Sequence, residues 1–385
     1  MIVKPTDLGF CGLLLEMRGS IVPAILPEIT LFTLVAVFAC LAFTYDLFGT
    51  NTDRLFQLEL GPFTALGVAI SLFLGFHNNA SYGRWWEARI LWGRQIIVTR
   101  DLARFLLGIM ADEDEVVEEE EESCCEKNDD DIGDSHQRRH NKALLESAPS
   151  PLEALMDKDI ENNILSMQRM PQRKNDPRTN RYNSWQAHIV CLSVAHSHAF
   201  RYQMRPSCKS DGSTTALQDR DRFLNPEEQK YLLKCKNNAN SILLMASKIL
   251  GKAHKEGKID TYSMIHVQNI LNSMCEIQTA CERIHNTSLP LAYSLLVHRT
   301  SVLYVLLVPF AIAPNIGWWT PLFTAIVAYT FFGLDELAKQ IQEPFRDNPM
   351  CLALSAMCRT IEIDALEAMG EETPSYLKSR RNVLM

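Results

Sequence analysis

The sequence predicts an all-α membrane protein with four transmembrane helices and a helical domain on the cytosolic side. Three observations predict it. Long stretches of the chain carry almost no charge. The polar regions place apolar residues at three- and four-residue spacing, without strand alternation. The acidity is confined to one insert, so a mean hydropathy of −0.07 averages over very unlike segments.

A helix needs about 20 mostly apolar residues to cross a bilayer. Between residues 19 and 45 the only charge is Glu28, and residues 60–83 carry none. Residues 300–334 again carry none, and residues 289–298 in front of them are separated from them only by Arg299. This last region is too long for one span. Pro309, Pro314, Asn315 and Gly317 supply turn chemistry, and Trp318 and Trp319 suit a membrane interface. The expected spans are therefore residues 26–45, 60–80, 289–313 and 317–335, an even number that puts both termini on one side. The alternative, buried helices of a large soluble enzyme, fits uncharged runs of this length poorly.

The expected division is an N-terminal segment (1–25), the first two spans with a cytosolic extension (26–105), an acidic insert (106–150), a cytosolic helical region (151–288), the last two spans (289–335) and a C-terminal segment (336–385). Residues 111–134 hold 14 acidic residues and one lysine, so the rest of the chain has a net charge of +5. Such an insert repels itself and lacks the apolar content for a core, and a disordered, solvated loop is expected. Basic stretches at 84–104, 169–181 and 201–209 place the long middle region on the cytosolic side. Helices are expected at 152–170, 185–202, 226–249 and 260–284, with Asn225 ahead of Pro226, Glu227 and Glu228 as a start signal. The first 20 residues show no leader pattern, so no removable signal is expected.

Chemistry-bearing patterns are sparse. Eleven cysteines include no CxxC pair, which fits a reducing setting. His196 and His198 stand two apart, facing different sides of a helix, and His188 is eight residues before His196, so no metal site is expected. No phosphate loop, dinucleotide fingerprint, nucleophile elbow or nucleic-acid module is present. The chain is not expected to be an enzyme, to use a cofactor or to bind nucleic acid. Arg299 is the sharpest intramembrane charge: such a group should face protein or water. It is expected to pair with Glu28, Asp335 or Glu336, and attraction of anions is the other reading. On the second span, Val68, Leu72 and Phe76 fall at four-residue steps and form one apolar row, while Ala65, Gly67, Ala69, Ser71 and Gly75 let helices approach closely.

Leu74-Gly75-Phe76, continuing without a helix breaker to Arg84-Trp85-Trp86, resembles the signature of the bestrophin family of ion channels, in its bacterial, fungal and plant branch. Other segments agree in order: Met17-Arg18-Gly19-Ser20 with Pro23 and Pro27, Leu289-Pro290-Leu291-Ala292-Tyr293-Ser294 with His298-Arg299-Thr300, Phe332-Gly333-Leu334-Asp335-Glu336-Leu337, Glu343-Pro344-Phe345, and Cys358-Arg359-Thr360-Ile361-Glu362. The resemblance covers residues 16–105 and about 225–372.

It implies a homopentamer around one axial pore in membrane lipid, with a hydrophobic neck formed by Val68, Leu72 and Phe76. It also implies a cytosolic aperture at Ile265, with Met264 or Val267 as neighbouring alternatives. Animal members carry a calcium clasp after the fourth span. Here Arg346, Asn348 and Cys351 occupy much of the corresponding segment, and no clasp is expected. The function so implied is passive passage of small inorganic anions: chloride, with nitrate or bicarbonate as further candidates. A monovalent cation channel of the same fold and a membrane scaffold recruiting partners through the acidic loop are the alternatives. The membrane, plasma membrane or plastid thylakoid, stays open.

Overall fold

The structure is a computed structural model and describes residues 20–45, 60–110, 184–206, 216–348 and 350–377. Among the described residues every regular element is helical. Helix α1 (Val22–Thr44) takes Pro23 in its first turn, where proline has no hydrogen bond to lose, and so begins before the expected residue 26. Helix α2 (Leu60–Arg104) runs unbroken for 45 residues and ends in a π-helical turn, Phe105–Ile109.

Five helices follow: α3 (Trp185–Met204), α4 (Ala216–Asp221), α5 (Pro226–Leu232), α6 (Asn238–Lys255) and α7 (Thr261–Asn286). The single helix expected over 226–249 is thus two. The Asn237 side chain accepts from the Asn240 amide at 3.0 Å and caps a new helix. Asp260 caps α7 in the same way, accepting from Tyr262 N at 2.7 Å. The expected helix at 152–170 and the acidic run at 111–134 lie outside the described residues.

Helix α8 (Leu291–Ile316) keeps both Pro309 and Pro314 inside it. The chain turns only at a 3-10 segment, Gly317–Trp319, where Gly317 takes φ +56°, a conformation glycine adopts without a Cβ penalty. Helix α9 (Thr320–Ile341) passes the expected end at 335, because Asp335 and Lys339 pair one turn apart at 2.8 Å and carry the helix into polar surroundings. Helix α10 (Leu354–Ala368) closes the described fold.

Val22–Thr44 and Leu291–Ile341 are long and apolar enough to cross a membrane, with mean hydropathies of 2.2 and 1.8. Only 28% and 33% of these stretches is buried within the chain. A core helix of a soluble protein would be mostly covered, whereas most of this apolar surface is left open by the described residues.

The apolar helices pack antiparallel. His298 meets Asp335 and Tyr304 meets Phe331 along α8 and α9. Ile25 lies beside Gly333, Phe32 against Phe332 at 5.3 Å, and the Cys40 thiol reaches Gly317 O along α1 and α9. The Tyr293 hydroxyl donates to Phe73 O at 3.1 Å between α8 and α2. Ile70 and Leu74 of α2 join this apolar core. Further along the same helix, Ala88, Leu91, Trp92 and Leu102 enter a second core built with α3, α6, α7 and α10. Helix α2 is therefore common to both cores.

Trp92, fully buried, stacks on Phe200 with centroids 4.8 Å apart and planes 4° from parallel. Trp92→Ala is expected to cost about 3–5 kcal/mol and to lower the thermal midpoint of the purified protein in detergent.

Candidate conduction helix and its anchor

Helix α2 has two unlike faces. Gly67, Ile70, Leu74, His77 and Ser81 are buried toward α8 and its neighbours. At Gly67 an added Cβ would come within 2.5 Å of the Tyr304 hydroxyl, so glycine permits the close approach of α8. At about 100° per residue, Val68, Leu72 and Phe76 fall on the opposite face. They are 65%, 57% and 57% exposed in the isolated chain. Three large apolar side chains one turn apart thus form an uncovered row on a segment without formal charge.

Ile265, near the start of α7, is 48% exposed. Of its neighbours, Val267 is fully buried in the second core and Met264 packs against it, which removes Val267 as a residue that could line an opening.

At the end of the uncharged run, Arg84 donates from Nε to Gln342 O at 3.0 Å, from one terminal nitrogen to Thr287 O at 2.6 Å and from the other to Ile284 O at 2.7 Å. Partial burial pulls its pKa below the ordinary arginine value. Trp85 Nε1 donates to Met350 O at 3.1 Å, and the rings of Tyr82, Trp85 and Trp86 stack at 6.1–6.4 Å.

The segment after α9 is held by a residue that the sequence did not single out. Arg205, buried at the end of α3, donates to Phe345 O at 2.7 Å and Leu352 O at 3.1 Å. Its only sequence signal was membership of a basic stretch. Arg346 turns to Glu343 at 3.2 Å.

Arg299 differs from expectation. Tyr293, Ser294 and Tyr304 face α2, and helical geometry puts Arg299 on the far side of α8. It is exposed, and among the described residues it makes no ion pair with Glu28, Asp335 or Glu336. The Asp335 carboxylate is taken by His298 at 2.7 Å and Lys339 at 2.8 Å. Nor does Arg299 face the apolar row of its own α2.

The three histidines go separate ways. His188 pairs with Glu228 at 2.8 Å, His198 lies stacked on Phe223, and His196 contacts Gln278 Oε1 at 3.2 Å and Gln95 Nε2 at 3.4 Å. A neutral His196 protonated on Nε2 satisfies both glutamines. Burial depresses the His196 pKa to about 4 and that of His198 to about 3.

A long two-faced helix shared by an apolar layer and a polar helical bundle, beside two stretches long and apolar enough to cross a bilayer, defines a membrane protein. The chain belongs to the bacterial/fungal bestrophin family, whose model matches residues 1–127 and 159–367, and it is an integral membrane protein. It is 32% identical over 387 residues to a Mesorhizobium japonicum protein named voltage-dependent anion channel-forming protein mll4386, covering 99% of this chain and 96% of that one. It is 27% identical to voltage-dependent anion channel-forming protein YneE of Escherichia coli K12, over 85% of this chain and 82% of that one. A crystal structure of a bacterial bestrophin homologue from Klebsiella pneumoniae superposes with a TM-score of 0.64 at 27% identity, covering 90% of this chain and 99% of that one.

Ile265→Ala is expected to leave the thermal midpoint unchanged, whereas Val267→Ala, which opens a void in the core, is expected to cost about 1–3 kcal/mol. Acidification gives a second expectation. His196 and His198 stay neutral in the fold while the unfolded chain protonates them near 6.5, so the stability these two contribute is full above that pH and declines as pH falls toward about 4. Melting curves between pH 7.5 and 5 should show the decline, and His196→Gln should make it shallower.

Proposed function

We propose that the chain assembles as a homopentamer around one axial pore and passes small anions, chloride first, down their gradient. Helices α1, the first part of α2, α8 and α9 are the four spans. Val68, Leu72 and Phe76 form the neck, and Ile265 lines a second constriction on the cytosolic side.

The observation that carries this reading is the uncovered apolar row on α2, opposite the face that packs on α8. Copies of α2 arranged around an axis turn three rings of apolar side chains inward, spaced about 6 Å apart along the axis. Such rings exclude water when narrow and admit ions when slightly widened, and they hold no ion tightly. The partly positive ring edge of Phe76 suits an anion in transit. The names of the relatives from Mesorhizobium japonicum and Escherichia coli support the sign of the ion, as does the net positive charge outside the acidic insert.

Single-channel recording of purified variants tests the neck. Leu72→Ala and Phe76→Ala are each expected to raise the current through the open channel by about twofold or more, or to hold it open longer. Unchanged currents from both variants would remove the neck from this helix face.

A further inference from the structure

Arg84 sits where the pore helix leaves the uncharged run, eight residues after Phe76. Its three acceptors are backbone carbonyls at the ends of two other helices. Ile284 belongs to the last turn of α7, Thr287 is the C-cap of α7, and Gln342 is the C-cap of α9. Carbonyls at a helix C-terminus have no partner within their own helix and carry the negative end of its dipole. A planar guanidinium with five donors can satisfy several at once; an ammonium cannot reach them all in one geometry. One turn further along α2, Glu87 pairs with Arg283 of α7. The end of α7 is thus tied to α2 twice, and the end of α9 is tied through the same Arg84 side chain.

Helix α7 carries Ile265 near its other end, 19 residues from Ile284, which is about 28 Å along a straight helix. Between these ends α7 lies against α2 in the second core, with Val267 buried and the His266 ring 4.5 Å from that of Phe105, so a displacement at the Arg84 hold is carried along a packed helix to Ile265. Phe76 lies only about 12 Å above the same hold on α2.

Resting on the pore reading given above, we propose that Arg84 is a positioning residue that fixes the angle between the neck helix and the aperture helix, so that the two constrictions open and close together. It touches no ion. It acts through the carbonyls of Ile284, Thr287 and Gln342.

The test is a double-mutant cycle on open probability in planar bilayers, using Leu72→Ala, Ile265→Ala and the pair, in the wild-type and Arg84→Lys backgrounds. With Arg84 present, the two substitutions should be non-additive by about threefold or more in the open–closed equilibrium. In Arg84→Lys, eluting as the same oligomer, they should become additive. Glu87→Gln, which breaks only the exposed pair to Arg283, is the second variant and should lower the coupling partway. Additive effects in the wild type, or coupling of full size in both variants, would overturn the proposal. So would failure of Arg84→Lys to assemble together with full coupling in Glu87→Gln, which would make Arg84 a folding residue. If Leu72→Ala and Phe76→Ala both leave the currents untouched, the pore reading falls, and the coupling has no neck to act on.

Discussion

The structure depends on one constraint: α2 must run from an apolar layer into a charged bundle while packing one face on protein and leaving the opposite face uncovered by the described residues. A backbone in hydrocarbon must satisfy its own hydrogen bonds, and 45 residues without a break do so. The buried face then needs residues that pack closely without charge, met by Gly67, Ile70 and Leu74. His77 is fully buried, with Nε2 3.2 Å from the Ser294 hydroxyl. The opposite face is free to be apolar because none of the described residues covers it.

Formal charge is kept off that face and gathered at its lower end. Arg84 is the first charged residue after the uncharged run, and it is spent on helix-end carbonyls rather than left facing open space. Below it, Trp85 and Arg205 bind carbonyls of the segment that follows α9, so this segment is fixed by indole and guanidinium donors. His298, Asp335 and Lys339 form a compact polar set between α8 and α9. The polar bundle is consolidated differently: α3 is buried almost throughout, and several of its polar side chains find partners in other helices, as Arg201 does with Asp219 at 2.8 Å.

Much of this was legible in the sequence, for identifiable reasons. Uncharged length located α1, the start of α2 and the α8–α9 hairpin, and four-residue spacing picked out Val68, Leu72 and Phe76 as one face. The turn between α8 and α9, expected over 314–316 from Pro309, Pro314, Asn315 and Gly317, falls at 317–319, because both prolines stay helical and Gly317 with its positive φ makes the turn. The break between α5 and α6 was missed because the apolar spacing carries across it, while the cap at Asn237 is a local signal. Charge partners were least legible. Pairing depends on which way a helix faces, so Arg299 turned out exposed, and Asp335 went to His298 and Lys339. Arg205 could not be told from its basic neighbours until the fold brought Phe345 and Leu352 to it.

The most direct measurement is the reversal potential of the purified wild-type protein in planar bilayers under a tenfold potassium chloride gradient. A value close to the chloride equilibrium potential, about 59 mV in magnitude for a monovalent ion, is the predicted result. A value of that size at the potassium potential would contradict the account of an anion channel.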